Sequence, residues 1–313
     1  MLKPLLLVAL LILGACSKQH ESLNLAGNTW LGYQPLYLIQ ARYACPDCNL
    51  EVLPGRSMKI TMMPSTTMVL RLLGAKQLDA AMLTLDEAIS FQSNTGIAIC
   101  VAAALSYSNG ADAALVMPGF DPNKQQLKVG YEETALGGYM LHRTVEKLGW
   151  PREKLAMQLL VPKNHVDALT QGQVDVVITY EPYRSQLKKQ GAQVLFDSKA
   201  LTGEIVDILV VQQASWAQHR ELLINMIAKQ WQEGVTILNT FSATELAFLQ
   251  QSTTLKADEL ASALSGMQFF DAAQNEVFLI EKLPMVIEQM NTYLLNSKQI
   301  SKPAELPACD LVR

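Results

Sequence analysis

Only 17% of the 313 residues are charged, and 25 Lys+Arg stand against 29 Asp+Glu. Without a basic field there is nothing to attract a phosphate backbone, and nucleic acid is excluded as an expected partner. Histidine is scarce, 4 in all. None of His20, His142, His165 and His219 is spaced as a zinc pair, so no metal site and no cofactor are expected. Gly 17 and Pro 13 show no low-complexity or collagen-like bias. Beyond residue 15 no stretch reaches about 18 consecutive apolar residues, which excludes a spanning helix in the body of the chain. What is present in quantity is apolar: 50% of the residues are hydrophobic, enough for a packed core and incompatible with disorder as the main state. At this length two compact units are expected.

The amino terminus reads as an export segment. Met1-Leu2-Lys3 gives a short positive start, residues 4–13 are almost unbroken apolar, and Leu13-Gly14-Ala15-Cys16 follows. The run is too short to span a membrane and ends in small residues. The tetrapeptide resembles the bacterial lipobox, which implies cleavage after residue 15 and lipidation of Cys16 as the new first residue. Residues 16–22 would then be a polar tether holding the protein to a membrane on the periplasmic side. Ser17 is not the aspartate that resembles an inner-membrane retention signal, which leaves the outer membrane open as a destination.

Cys45, Cys48, Cys100 and Cys309 remain after Cys16, an even number in a compartment that permits disulfides. Cys45-Pro-Asp-Cys48 fits a loop disulfide, free thiols, or metal or redox chemistry. A redox motif would open a helix after a strand, whereas this one ends a helical stretch. Cys100 sits in an apolar run and reads as buried filler unless Cys309 reaches it.

From residue 23 strand and helix patterns alternate. Strands are expected near 23–30, 58–63, 80–85, 97–105, 113–117, 127–130, 155–161, 174–179, 193–196 and 205–211. Helices are expected near 35–44, 66–73, 86–92, 134–148 and 164–170, with only helical patterns from 215 to 293, broken at 254–258 and 269–275. Such alternation demands mostly parallel sheet covered by helices, an α/β fold. Leu78-Asp-Ala-Ala-Met-Leu-Thr-Leu-Asp-Glu87 and Val174-Asp-Val-Val-Ile-Thr-Tyr-Glu-Pro182 both run Asp, apolar strand, Thr-x-acid. In open α/β sheets ligands sit beyond the carboxyl ends of strands, where both acids fall.

On those two segments, together with Trp30-Leu-Gly-Tyr-Gln-Pro-Leu-Tyr37, Gly110-Ala-Asp112, Leu127-Lys-Val-Gly130 and Leu195-Phe-Asp-Ser198, the chain resembles a known family. It is that of the periplasmic binding proteins for nitrate, sulfonates, taurine and thiamine-precursor pyrimidines, which serve ABC importers. The resemblance implies a type II-like two-lobed periplasmic binding protein fold with the ligand cleft between the lobes. Lobe one would comprise 23–108 and 208–313, and lobe two 109–207. It departs from the family at 45–57, where a Cys-containing, Pro-Gly-punctuated segment replaces a short connection.

Ligand contacts are expected at Trp30 and Tyr33, whose rings can stack on a flat ligand, and at Ser65 and Thr66, which open a helix after a strand. Thr84 and Asp86 end one strand, Tyr180 and Glu181 the other, and Thr134 repeats the helix opening in lobe two. Each has a plainer reading, as core ring, N-cap or first-turn acid. The cleft segments carry acids, Asp86, Glu87, Glu181 and Asp207, but no Arg or Lys, which favours a nitrogen-bearing, planar or amine ligand over an oxyanion. Pro182 disfavours helical geometry at Glu181 and so would hold its carboxylate at the cleft.

The leading expectation is a non-enzymatic, monomeric lipoprotein that captures a small molecule and delivers it to an inner-membrane ABC permease. A ligand-sensing protein for a membrane receptor uses the same hinge motion and is not separated from it. Family relatives that synthesise a thiamine pyrimidine carry a cysteine-rich run that is absent here.

Overall fold

The structure, a computed structural model, describes residues 21–44 and 48–309. The export segment, Cys16 with its lipidation, and Cys45 with its pairing to Cys48 lie outside the described residues. In chain order the strands are β1 (Glu21–Gly27), β2 (Leu50–Leu53), β3 (Arg56–Met62), β4 (Ala80–Thr84), β5 (Ile99–Ser108), β6 (Asp112–Val116), β7 (Leu127–Tyr131), β8 (Leu155–Leu159), β9 (Val176–Tyr180), β10 (Gln193–Asp197), β11 (Val206–Gln212) and β12 (Met267–Phe269). They form two sheets, of order β12-β5-β11-β4-β1-β3-β2 and β10-β6-β9-β7-β8. The helices that matter for the site are α1 (Gln34–Tyr43), α2 (Thr66–Gly74), α3 (Leu85–Thr95), α4 (Ala135–Leu148), α5 (His165–Thr170) and α6 (Tyr183–Lys189). A helical region from Gln213–Asn225 to Leu283–Asn296 covers the larger sheet.

Both sheets are mixed, where the alternation pointed to mostly parallel ones. β1 pairs in parallel with β3 and β4, and β7 with β8 and β9, but β11 runs antiparallel to β4 and β5, and β6 antiparallel to β9 and β10. The reason is the route of the chain. It leaves the larger sheet at the carboxyl end of β5 and starts β6 four residues later, with Asp112 opposite Tyr180 at the end of β9. It returns from β10 to start β11 with Val206 opposite Tyr107, again at a carboxyl end. A strand entering where its neighbours finish must run backwards. Both crossings therefore lie where the carboxyl ends of the two sheets meet.

Local chemistry explains the elements. Every residue of β4, β6, β9 and β11 is buried, as their continuous apolar runs require of strands covered on both faces. Ser65 Oγ accepts from Met68 N to cap α2, and Thr134 Oγ1 accepts from Gly137 N to cap α4. Gly149, at φ 64°, closes α4 in the left-handed conformation that glycine adopts without a Cβ penalty.

Four local expectations change. β1 begins at Glu21 and pairs Ser22 with Ser57, so residues 21 and 22 belong to the sheet and not to the tether. The segment before residue 57 forms the hairpin β2–β3, turning at Gly55 with φ 72°, a positive value that its Pro-Gly signal accommodates. β12 interrupts the helical region by adding to the end of β5, with Met267 opposite Ser108. Cys100 is not filler: it is bonded to Cys309, while Ala308 bridges to Val101, and the tail is thereby tied to a central strand.

Candidate functional site

A cavity lies where the carboxyl ends of the two sheets meet, and the centre of a water-sized sphere can range over ≈ 30 Å³ of it. At about 10–15 Å³ for one water, the space in this state takes two or three waters, and a ring-sized ligand enters only when the two sides move apart. Six expected residues line it: Trp30, Tyr33, Thr66, Thr84, Thr134 and Tyr180.

On the larger sheet's side the chain leaves β1 through Asn28, whose Oδ1 accepts from Trp30 N at 2.9 Å. This turns the Trp30 ring toward β11. Asp207, at the start of β11, accepts from Trp30 Nε1 (2.9 Å), Ser106 Oγ (2.5 Å) and Tyr33 OH (3.1 Å). Gly32 lets the rings close in, because a Cβ there would stand 2.2 Å from Trp30 Nε1 and 2.8 Å from Ser106 Oγ. One carboxylate thus fixes both aromatic side chains.

The smaller sheet supplies Asp112, Glu132, His165, Thr179 and Tyr180. Glu132 follows β7, and Gly137 keeps α4 close to it, since a Cβ on Gly137 would meet the Glu132 carbonyl at 2.1 Å. Contacts pass directly between the two sides. Thr67 N and Oγ1 donate to Glu132 Oε1 at 3.2 and 3.3 Å, placing the carboxylate on the amino end of α2. Asn28 Nδ2 donates to Tyr180 OH at 3.3 Å and to Thr66 Oγ1 at 2.7 Å, and the Trp30 and Tyr180 rings meet edge to face at 5.9 Å.

The wall is acidic without compensation. Glu87, Asp112, Glu132 and Asp207 line it, each no more than 5% exposed, and no Arg or Lys does. Burial raises all four carboxyl pKa values. Asp207 reaches about 7 despite the lowering effect of its three donors. Asp112 also reaches about 7, with Ser108 lowering it and Asp207, Asp86 and Glu181 adding repulsion. Glu87 is pushed well above its ordinary value by burial and then by Asp86 and Glu132, while Glu132 is raised by burial against bonds from Thr67. His165 adds no charge, because burial lowers its pKa to about 4. Among the described residues no group of three or more His, Cys, Asp or Glu is arranged to hold a metal ion.

Three expected residues are not brought to the cavity. Ser65 is the cap of α2. Asp86 is buried beside Glu87 in the first turn of α3, its pKa raised by burial to about 6. Glu181 is fully buried away from the cavity wall. Its Oε1 pairs with Arg184 at 3.1 Å and its carboxylate accepts from Ser185 N and Oγ, both at 3.0 Å. Pro182 does not hold the carboxylate at the cleft, because the opening turn of α6 offers it an arginine and free N–H and O–H donors.

Asn28, Asp112, Glu132 and His165 line the cavity without having been singled out as contacts, and Glu87 and Asp207 were noted only as acids near strand ends. His165 opens α5 six residues after β8 ends, beyond a short turn at Pro162–Asn164, so it lacks the strand-end position that marks Thr84 and Tyr180.

No family model matches the chain, and no curated protein matches it. Solved structures do. The periplasmic aliphatic sulphonate binding protein SsuA from Escherichia coli is 17% identical, with a TM-score of 0.67 over 91% of this chain and 95% of that one. A ligand binding component of an ABC-type import system from Staphylococcus aureus, with zinc bound, is 12% identical, with a TM-score of 0.71 over 93% and 97%. The desulfurization enzyme DSZB is 10% identical, with a TM-score of 0.62 over 91% and 95%. The chain therefore has the periplasmic binding protein fold, with the mixed sheets and crossings described above.

Proposed function

We propose that this chain is a lipid-anchored, extracytoplasmic solute-binding protein that closes around a small cationic or amino-bearing ligand and presents it to an ABC importer. The observation that carries this reading is the wall of four buried carboxylates unaccompanied by any arginine or lysine. Removing carboxylates from water is unfavourable unless protons or a cation neutralise them, and a bound ammonium supplies the cation in a charge-assisted contact. A sulfonate or nitrate in the same place would face four acids. The two bodies that close are residues 23–108 with 206–309, since β11 begins at Val206 in the larger sheet, and residues 109–205, and the contacts of Thr67 with Glu132 and Asn28 with Tyr180 join them in the closed state.

Binding is favoured over catalysis by the likeness to two binding proteins, at TM-scores of 0.67 and 0.71. Anchoring rests on Cys16, and Cys16→Ala should move the protein from the membrane fraction to the soluble one. Among the described residues no helix is long and apolar enough to cross a membrane.

The test is calorimetry with benzylamine, a one-ring ammonium, against ethanesulfonate at neutral pH, joined to native mass spectrometry for a copurified small molecule. Amine binding accompanied by a smaller radius of gyration supports the reading. Binding of the sulfonate and not of the amine overturns it.

A further inference from the structure

His165 is the one histidine on the cavity wall, and it is fully buried there at the first position of α5. Its Nδ1 lies 2.9 Å from Thr179 Oγ1 and its Nε2 makes no hydrogen bond, although the nearby Leu160 backbone acts against burial to raise the ring's pKa. Buried polar atoms in folded proteins are nearly always paired, and an exception on a cavity wall marks a group whose partner is brought from outside. Thr84 Oγ1 on the same wall is likewise without a partner, but other polar side chains around the cavity differ in this respect. Asn28, Trp30, Tyr33 and Tyr180 each direct their polar atoms to protein partners, so their hydrogen bonds shape the wall.

Chemistry narrows the role. Burial holds the ring neutral, so one nitrogen donates and the other accepts, and Thr179 Oγ1 can take either role toward Nδ1. Nε2 is therefore a neutral hydrogen-bonding point, distinct from the carboxylates. His165 on α5 bonds Thr179 on β9, and β9 pairs with β6, which begins with Asp112, so this neutral point and an acid line one cavity from neighbouring elements. A ligand that reaches both carries two different groups: a cationic nitrogen among the acids and an uncharged polar atom facing the imidazole.

We infer that His165 is a specificity-determining residue whose Nε2 hydrogen-bonds a neutral polar atom of the ligand, such as a ring nitrogen, and selects among amines of the same charge and size. This rests on the cationic-ligand reading, and the test separates the two. The probes are benzylamine, the three isomeric (aminomethyl)pyridines, which differ from it by one ring nitrogen, and the corresponding pyridinemethanols, which lack the charge. Affinities are measured by calorimetry at pH 7.5 on wild type, His165→Phe and His165→Gln, each checked for folding by circular dichroism.

The wild type should bind its best (aminomethyl)pyridine about tenfold or more tightly than benzylamine, because a site built to hydrogen-bond a group discriminates against the analogue lacking it. In His165→Phe the ratio should fall to about twofold, and in His165→Gln part of it should return. Equal binding of benzylamine and every (aminomethyl)pyridine by the wild type overturns the inference and leaves the cationic reading standing, a comparison that needs no variant to fold. Survival of the full ratio in His165→Phe also overturns it. Pyridinemethanols binding as tightly as the amines overturn the cationic reading instead, and binding of no probe overturns both.

Discussion

At the carboxyl end of β4, Thr84 and Glu87 reach the cavity, and no basic residue occurs anywhere in the helix α3 that follows. At the carboxyl end of β9, Thr179 and Tyr180 reach it too, but the acid of the same sequence phrase, Glu181, is turned into α6, where Arg184 and Ser185 hold it. Strand-end position brings a residue near the cavity in both cases. At β4 the acid of the phrase, Asp86, is also turned from the wall and its neighbour Glu87 lines the cavity instead, so which acid faces a ligand depends on the helix behind the strand. A helix that begins with an arginine three residues on captures the carboxylate. At β4 Glu87 accepts only the backbone N–H of Thr84, in the capping box of α3, and stays on the wall.

The largest effect is expected from breaking the captured pair. Arg184 is 13% exposed and Glu181 fully buried, so Arg184→Leu strands a buried carboxylate and should destabilise the protein by about 3–5 kcal/mol. Urea unfolding measures this, and combining Arg184→Leu with Glu181→Gln should recover most of the loss. If the single variant unfolds as the wild type does, the pair is not what secures the end of β9.

The next effect concerns an uncaptured acid at that same strand end. Asp112 lies opposite Tyr180 in the β6–β9 register and has no cation beside it on the cavity wall. Asp112→Asn removes one charge from the wall, and affinity for benzylamine should drop ten- to a hundredfold, in line with the roughly 1.5–3 kcal/mol of a hydrogen bond to a charged group. Unchanged calorimetry would remove the acids' claim to the ligand.

These two acids also show how far the sequence could be read. The repeated Thr-x-acid phrase located both strand ends, and Trp30, Tyr33, Thr66, Thr84, Thr134 and Tyr180 line the cavity because strand ends and helix openings are local patterns. Glu181 was misplaced because its fate depends on a side chain contributed by α6, a helix the periodicity did not reveal in its seven residues. His165 was weighed only as a metal ligand, and its place beside Thr179 depends on β8 and β9 both pairing with β7. The reversed strands β6 and β11 were hidden for the same reason: an apolar run shows that a strand is buried, not which way its neighbours run.

Titration should separate the two environments further. Asp112 and Asp207 are raised to about 7 from an ordinary 3.8, so the ligand-free folded protein binds more protons than the unfolded chain between those values. Their contribution to stability is complete below about pH 4 and lost as pH rises through 7, at up to about 1.4 kcal/mol per pH unit for each group. The ligand-free melting temperature should therefore rise as pH is lowered from 7.5 to 5.5, and Asp112→Asn should flatten that slope. Cation affinity should move the other way, strengthening as pH rises, because the ammonium binds the ionised carboxylates. A melting temperature that falls on acidification across this window would mean that neither acid is held protonated by burial.

The smallest effect, and the one that bears most directly on the comparison, is expected at Glu181. If position at a strand end were enough, Glu181→Gln would weaken amine binding as strongly as Asp112→Asn. The structure gives a different expectation, because the Glu181 carboxylate meets Arg184 and Ser185 and not the cavity wall. Glutamine keeps the side-chain length and an oxygen for Ser185 N, and Arg184 retains Asp197 at 3.9 Å as a second acidic neighbour. The change in charge is then felt by the ligand only at a distance and next to a compensating guanidinium. Affinity for benzylamine should stay within about threefold of wild type, roughly 0.6 kcal/mol. Calorimetry on the two variants side by side reads the contrast: a large loss at Asp112 with little at Glu181 assigns ligand charge to acids without a protein cation. A tenfold or greater loss at Glu181 would show that the pair opens to admit the ligand and that the end of β9 works as the end of β4 does.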